Sequence, residues 1–246
     1  MRLIQFTDTH LYGSAEQALR GIATWPTLRA TLMHAASGIA AADAILVTGD
    51  LVQDDPAGYT LFRELFAPLG KRVLCIPGNH DDPVAMQTAL YAAPFQYCGE
   101  YGDDKWRVVL LDSFLPGSAA GQLTKSTLQQ LDAALTAADG RHVLICLHHH
   151  PVPMRSRWLD TVGLTNAEDF FAVVDRHASV RGILWGHVHQ AYDALRNGVR
   201  LLATPSTCAQ FLPGADDFAI DSKPPAYRLL QLNSNGSIAT EIKWVS

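Results

Sequence analysis

Residues 183–190, ILWGHVHQ, end a short apolar run with a glycine and then two histidines one residue apart. A buried strand gains little packing from two imidazoles, so His187 and His189 require another explanation. The same arrangement, an apolar run followed at once by polar residues able to bind a metal ion, occurs four more times. This recurrence predicts a sheet fold in which several strands deliver polar side chains to one edge.

Six apolar runs predict strands of the interior: RLIQF, AILVT, RVLCI, WRVVLL, HVLICL and RGILW. They are rich in Val, Ile and Leu and mostly lack alternation, which is typical of strands buried on both faces. Five segments between them carry apolar residues at three- and four-residue spacings, as amphipathic helices do: TLRATLMHAASGIAA, GYTLFRELFAPLG, VAMQTALYAA, TLQQLDAALTAA and AEDFFAVVDRHA. The alternation of strand and helix predicts βαβ units with right-handed crossovers.

The last third of the chain has a different pattern. VRLLATPS and YRLLQLNSNGSIATEIKW predict further strands, two of them joined by an Asn-Gly turn. No internal repeat, low-complexity tract or linker interrupts the sequence, so we expect one domain over residues 1–246. The expected class is α/β, with two sheets facing each other and helices covering the outside.

Composition narrows the functional class of this 246-residue chain. Hydrophobic residues make up 48% and charged residues 17%, as in globular α/β enzymes. The net charge of -5 and the lack of a Lys/Arg cluster argue against nucleic acid as a partner. The four cysteines show no CxxC pair. Since no apolar run approaches the length of a membrane span or a signal-peptide core, we expect a cytoplasmic protein without a membrane partner.

Potential ligands follow five of the predicted strands. In chain order they are Asp8 and His10, then Asp50, then Asn79, His80 and Asp81, then the run His148 to His150, and then His187 and His189. In open α/β sheets, ligands bind beyond the carboxyl ends of the strands. Each group alone is weak evidence, but seven of the ten histidines directly follow an apolar strand run.

Imidazole and carboxylate together suit Zn, Mn or Fe, whereas Mg and Ca prefer oxygen ligands alone. The set offers seven ligands if the run His148 to His150 supplies one of them. A single tetrahedral ion takes only four. If Asp50 is shared, the seven divide into two groups of four. The sequence therefore predicts two metal ions at neighbouring positions.

In this order, D-x-H, GD, GNHD, a His-rich strand end and GHVH resemble the motifs of the calcineurin-like metallophosphoesterases. The motifs extend from residue 8 to residue 189. Within that superfamily the chain looks most similar to the class III cyclic nucleotide phosphodiesterases. This narrower resemblance depends on QFTDTHL, VTGDLVQD, IPGNHD, LHHHPVP, SRWLD, WGHVHQ and LLATPSTCAQF.

The resemblance implies a four-layer α/β/β/α sandwich, two divalent ions per chain, and hydrolysis of 3′,5′-cyclic AMP to 5′-AMP by a metal-bridged hydroxide. By position, metal one would be bound by Asp8, His10, Asp50 and His189, and metal two by Asp50, Asn79, His148 and His187. Substrate would contact His10, Asp50, Asn79, His80 and His189. Whether the ions are Fe, Mn or Zn is left open, because sites of this kind accept several metals.

Three residue roles stay open in the sequence. His148 matches the family position, but strand alternation would point His150 to the same side. His80 is the expected proton donor to the leaving group, with Asp81 orienting it or capping a helix instead. Asp112 is expected to orient a ligand histidine or to serve as a turn residue.

The substrate is open as well, since the site also suits another phosphodiester such as a glycerophosphodiester, or a phosphomonoester. Phe211 and Trp158 would stack on a purine or else pack in the core. The sequence leaves a homodimer open.

Overall fold

A computed structural model describes residues 1–245. Its strands are β1 (Arg2–Phe6), β2 (Ala18–Leu19), β3 (Ile22–Ala23), β4 (Ala44–Thr48), β5 (Arg72–Ile76), β6 (Phe95–Tyr97), β7 (Gly99–Gly102), β8 (Trp106–Leu110), β9 (His142–Cys146), β10 (Val180–Trp185), β11 (Tyr192–Arg196), β12 (Val199–Ala203), β13 (Gln210–Phe211), β14 (Ile220–Asp221), β15 (Ala226–Leu232) and β16 (Ile238–Trp244). Its helices are α1 (Thr24–His34), α2 (Ala36–Ala41), α3 (Gly58–Phe66), α4 (Pro83–Ala89), α5 (Lys125–Thr136), α6 (Arg157–Asp160) and α7 (Ala167–Val174).

The two large sheets are both mixed and have six strands each. The first has the order β16-β15-β1-β4-β5-β6, and the pairs from β1 to β6 are parallel. The second has the order β11-β12-β10-β9-β8-β7, and the pairs from β12 to β8 are parallel. Each sheet therefore presents the carboxyl ends of its parallel strands along one edge, as the sequence predicts.

Three apolar clusters separate four layers. One lies between the sheets and includes Leu3, Leu46, Leu74, Leu144 and Leu184. A second packs the outer face of the first sheet against α1, α3 and α4, and a third packs the outer face of the second sheet against α5 and α7. Neighbouring residues of one strand thus enter different clusters, which explains why these strands lack alternation. The expected α/β/β/α sandwich of two facing sheets is confirmed.

Buried polar side chains join the two sheets beneath the strand ends. Gln5 of β1 donates to the Thr48 hydroxyl at 2.8 Å and to the carbonyl of Trp185 in β10 at 3.3 Å. The Arg228 guanidinium of β15 donates to the carbonyl of Ala203 in β12 at 2.6 Å. Gln5 and Arg228 are almost fully buried, so these bonds join β1 to β10 and β15 to β12 where water cannot compete.

Local differences from the sequence prediction concern element ends. The segment expected as one helix over TLRATLMHAASGIAA is divided into α1 and α2 at Ala35. The helix expected over VAMQTALYAA ends at Ala89, before the residues LYAA. The C-terminal hairpin is present, with a loop containing Asn235 and Gly236 between β15 and β16.

No helix within residues 1–245 combines the length and the apolar character needed to cross a membrane.

Candidate metal centre

The predicted ligands come together at the facing edges of the two sheets. Asp8 and His10 follow β1, Asp50 follows β4, and Asn79 follows β5 in the first sheet. The second sheet contributes the histidine run after β9 and the GHVH motif after β10. Neither sheet alone supplies the whole group, so the site exists only because the sheets pack face to face.

Five of the predicted ligands have left-handed backbone conformations. Their φ angles are 55° at Asp8, 47° at His10, 50° at Asp50, 65° at His187 and 47° at His189. Side chains with a β-carbon are uncommon in this region, where each costs on the order of 1–3 kcal/mol. This conformation turns the backbone sharply after the strand, and it lets the side chain face the space between the sheets.

Backbone contacts hold these turns in place. The amide of Val188 donates to the carbonyl of Gly186 at 2.6 Å, which closes a three-residue turn around His187. A β-carbon at Gly186 would overlap the Thr7 hydroxyl and lie 2.7 Å from the Asp8 carboxylate. Gly186 therefore permits the close approach of the backbone after β10 to Thr7 and Asp8 of the other sheet.

The first group of ligand atoms consists of Asp8, His10 and His189, whose atoms lie within 4.8 Å of one another. The Nε2 atoms of His10 and His189 are 3.1 Å apart, and His189 Nε2 is 3.3 Å from Asp8 Oδ1. His189 Nδ1 donates to the carbonyl of Ala209 at 2.6 Å, which leaves its Nε2 lone pair facing the group. Two imidazole nitrogens and a carboxylate converging in this way fit a divalent cation.

The second group is centred on His148. Its Nε2 lies 3.3 Å from Asp50 Oδ2 and 3.3 Å from Asn79 Oδ1, while its Nδ1 donates to the carbonyl of Thr48 at 2.8 Å. The ring of His187 lies 5.0 Å from that of His148, and His187 Nε2 is buried without a hydrogen-bond partner among residues 1–245. Ligand atoms of His148, His149 and His187 lie within 4.8 Å of one another, and an unpartnered buried nitrogen in such a cluster also fits a metal ligand.

Asp50 belongs to both groups. Its Oδ2 lies 3.3 Å from His148 Nε2 and 3.9 Å from His10 Nε2, and its Oδ1 accepts from the His80 backbone amide at 2.9 Å. Asp8, Asp50 and His148 also place ligand atoms within 4.8 Å of one another. The central position of Asp50 therefore matches the shared ligand that the sequence predicts.

The three consecutive histidines point to different surroundings. His148 faces Asp50 and Asn79, whereas His149 Nδ1 lies 2.8 Å from the Ser113 hydroxyl. His150 Nε2 lies 4.0 Å from Asp160, outside hydrogen-bond range. Of the run, only His148 contacts the other predicted ligands Asp50 and Asn79 directly in residues 1–245.

Burial sets the protonation of the site. It lowers the pKa of His10 to about 4 and that of His187 well below its usual value, so both rings are neutral near pH 7 and keep a lone pair for a cation. Burial also lowers the pKa of His148, but Asp50 and Asp8 outweigh it and raise this pKa to about 9. Two buried carboxylates thus draw positive charge to the site, which a metal ion also supplies.

His80 lies beside the first group and is only partly buried. Its ring centroid is 5.4 Å from that of His10, and its Nδ1 is 2.9 Å from Asp54 Oδ2. Gln53 Nε2 lies 2.8 Å from the same ring nitrogen, so the two contacts together fix the His80 ring by its outer edge. The sequence interpretation missed Asp54, although the motif GDLVQDD places it only four residues beyond Asp50.

Asp81 does not contact the His80 ring, which the sequence led us to expect it to orient. Its carboxylate accepts from the backbone amides of Gly78 at 2.9 Å and Leu51 at 3.1 Å, and from the Tyr59 hydroxyl at 2.9 Å. Burial, then the charge of Asp50, raises its pKa to about 7. Asp81 therefore ties the loop after β4 to the loop after β5, and the sequence expectation of an orienting role is corrected.

Contacts also settle the helix cap of α4 and the role of Asp112. Asp82, not Asp81, caps helix α4, because its Oδ1 accepts from the amides of Val84 and Ala85. Asp112 accepts from the Tyr97 hydroxyl at 2.7 Å and from the amide of Phe114 at 2.8 Å. It is a turn residue, and the expected contact with a ligand histidine is wrong.

The contacts of Asp81 generate a test of its structural role. Tyr59→Phe removes a donor to a buried carboxylate and should lower the free energy of unfolding by about 1–3 kcal/mol. Tyr91→Phe is the matched control, because Tyr91 is 81% exposed and its variant should unfold like the wild type. Urea unfolding of both variants measures the difference, and equal stability of the two variants would contradict this role for Asp81.

Comparison with known proteins agrees with this geometry. The family model for calcineurin-like phosphoesterase matches residues 1–191. The 3′,5′-cyclic adenosine monophosphate phosphodiesterase CpdA of Pseudomonas aeruginosa is 40% identical over 245 residues, covering 99% of this chain and 89% of that protein. The protein of the same name from Escherichia coli K12 is 39% identical over 244 residues, covering 98% and 89%.

A solved structure shows the same fold. The crystal structure of a dimetal phosphatase from Danio rerio superposes with a TM-score of 0.68 over 100% of this chain and 99% of that chain, at 17% identity. The family match and the full-length relatives agree with the motifs and with the four layers. This chain belongs to the calcineurin-like phosphoesterase family.

Proposed function

We propose that this protein is a phosphodiesterase that uses two divalent metal ions to hydrolyse 3′,5′-cyclic AMP to 5′-AMP. The observation that carries the proposal is the convergence of two ligand groups on Asp50, with the histidine His80 beside them. The full-length relatives named as cyclic AMP phosphodiesterases support the substrate.

In this proposal Asp8, His10, Asp50 and His189 hold one ion, and Asp50, Asn79, His148 and His187 hold the other. When bound, such an ion pair lowers the pKa of water and offsets the negative charge of the phosphodiester. The chain contributes the fixed positions of the ligands: carbonyls of Thr48 and Ala209 hold Nδ1 of His148 and His189, and backbone carbonyls accept from the amides of Asp8 and His10. The metals Fe, Mn and Zn all suit this ligand set.

His80 supplies the proton that the leaving group needs. As the oxygen of water bonds to phosphorus, the bond from phosphorus to O3′ breaks and O3′ takes a proton from His80 Nε2. His80 regains a proton from the attacking water, so the reaction balances. Asp54 holds the opposite ring nitrogen, and by this contact it orients Nε2.

The substrate test compares three phosphate esters. Protein freed of metal with a chelator should leave cyclic AMP intact, and reloading with Mn²⁺ should restore its conversion to 5′-AMP, measured by chromatography. Glycerophosphocholine and p-nitrophenyl phosphate should react much more slowly. Cyclic AMP left intact by the reloaded protein, while either of the others is cleaved, would overturn the proposed substrate.

The contacts of His80 predict that Asp54 supports catalysis and that its neighbour Asp55 does not. Asp54→Asn should lower kcat by about 10- to 100-fold, because it weakens the contact that orients the proton donor. Asp55→Asn is the matched control, since Asp55 accepts from the amides of Gly13 and Ala57 and lacks contact with His80. Steady-state rates should therefore be close to the wild type for Asp55→Asn. Equal losses in the two variants would argue against the pairing of His80 with Asp54.

The choice of metal ligand within His148 to His150 can be tested by measuring the metal content of two variants. His148→Ala should lose about one equivalent of bound metal, because it removes a ligand at Asp50 and Asn79. His150→Ala should keep both equivalents, since its ring stacks on that of His187 at 5.5 Å but does not contact Asp50 or Asn79. Elemental analysis of the reloaded and dialysed variants distinguishes them, and the opposite result would assign the ligand to His150.

A further inference from the structure

Three aromatic rings continue the site beyond His189. The Phe211 ring stacks on the His189 ring with centroids 4.0 Å apart and planes inclined by 5°. Phe211 contacts Phe218 at 5.3 Å, and Trp158 contacts both of them at 5.2 and 5.1 Å. We call Trp158, Phe211 and Phe218 the rim cluster. It links the first ligand group to the protein surface, where Phe218 is 39% exposed.

Arg20 covers the outer end of the rim cluster. Its guanidinium carbon lies 4.2 Å from the centroid of the Phe218 ring, and its side chain is exposed. Within residues 1–245, no carboxylate lies within ion-pair distance of Arg20. A guanidinium with one face on an aromatic ring has its other face available for a second planar group.

The backbone at Arg20 is unfavourable for an arginine. Arg20 and Gly21 form the two-residue loop between β2 and β3, with φ angles of 51° and 81°. Both central residues of such a hairpin turn need positive φ, which favours Asn or Gly at the first position. Because the turn itself would be better served by Asn, the presence of Arg indicates a use for the side chain.

We infer that Arg20 and the rim cluster form the subsite for the purine base of the substrate, with the base stacking on the guanidinium plane held by Phe218. This inference rests on the proposed function, since it assigns the nucleoside end of that substrate. The order of contacts supports it: the rings run from His80 through His10 and His189 to Phe211. A nucleoside leaving through O3′ at His80 would extend along this row. Bases stack on aromatic rings and on Arg guanidinium planes.

The test compares binding of 5′-AMP with binding of ribose 5-phosphate, which lacks the base, to the Mn²⁺-loaded protein by calorimetry. The wild type should bind 5′-AMP more tightly by about 5- to 150-fold, equivalent to about 1–3 kcal/mol. Arg20→Asn, Arg20→Lys and Phe218→Leu should lose most of this preference while binding ribose 5-phosphate as the wild type does. Asn is favoured at this turn position, so misfolding would not explain a lost preference for 5′-AMP in Arg20→Asn. Arg20→Lys keeps the positive charge but removes the planar guanidinium.

A matched control is available elsewhere on the surface. The Arg196 guanidinium lies 3.8 Å over the Phe171 ring, outside the rim cluster, and Arg196→Lys should keep the preference for 5′-AMP. Equal weakening of both ligands by the Arg20 variants would assign Arg20 to the phosphate and overturn the base subsite. Arg20 variants that bind both ligands as tightly as the wild type does would also overturn the base subsite. A wild type that prefers 5′-AMP but leaves cyclic AMP intact would support the subsite and refute the proposed reaction.

Discussion

The site depends on the left-handed backbone that follows β1, β4 and β10. At Asp8, His10, Asp50, His187 and His189 the chain adopts positive φ without glycine, at a cost that ordinary turns avoid. Packing of the two sheets offsets this cost, because the turns interlock: the His187 amide donates to the Asp8 carboxylate at 3.1 Å, and the Asp8 amide donates to the carbonyl of Gly49. The ligand geometry is therefore a property of the packed sheets and cannot be assigned to any one loop.

This interlocking gives each ligand a fixed orientation. The buried bonds of Gln5 and Arg228 hold the two sheets together below the site, and carbonyls of Thr48 and Ala209 fix the rings of His148 and His189 from behind. A ring held at Nδ1 presents Nε2 in one direction, which is the usual arrangement for a metal-binding histidine. Side chains and backbone thus determine the site jointly.

The sequence predicted which strand ends bring the candidate ligands together, because apolar runs and the residues that follow them are local features. It did not distinguish His148 from His150, since strand β9 ends at Cys146 and alternation cannot be extended into the run. It also chose Asp81 as the partner of His80 by adjacency. The actual contact comes from Asp54, in the loop after β4, and Asp54 and Asp55 are indistinguishable without tertiary contacts. The positive φ of Arg20 is likewise invisible in the sequence pattern.

The central claim is that Asp50 is shared by two metal ions. Crystals of the Mn²⁺-loaded protein, measured with anomalous diffraction at the manganese edge, test it most directly. We expect two anomalous peaks per chain, both within coordination distance of the Asp50 carboxylate, one beside His10 and His189 and the other beside His148 and His187. A single peak, or two peaks of which only one contacts Asp50, would contradict it.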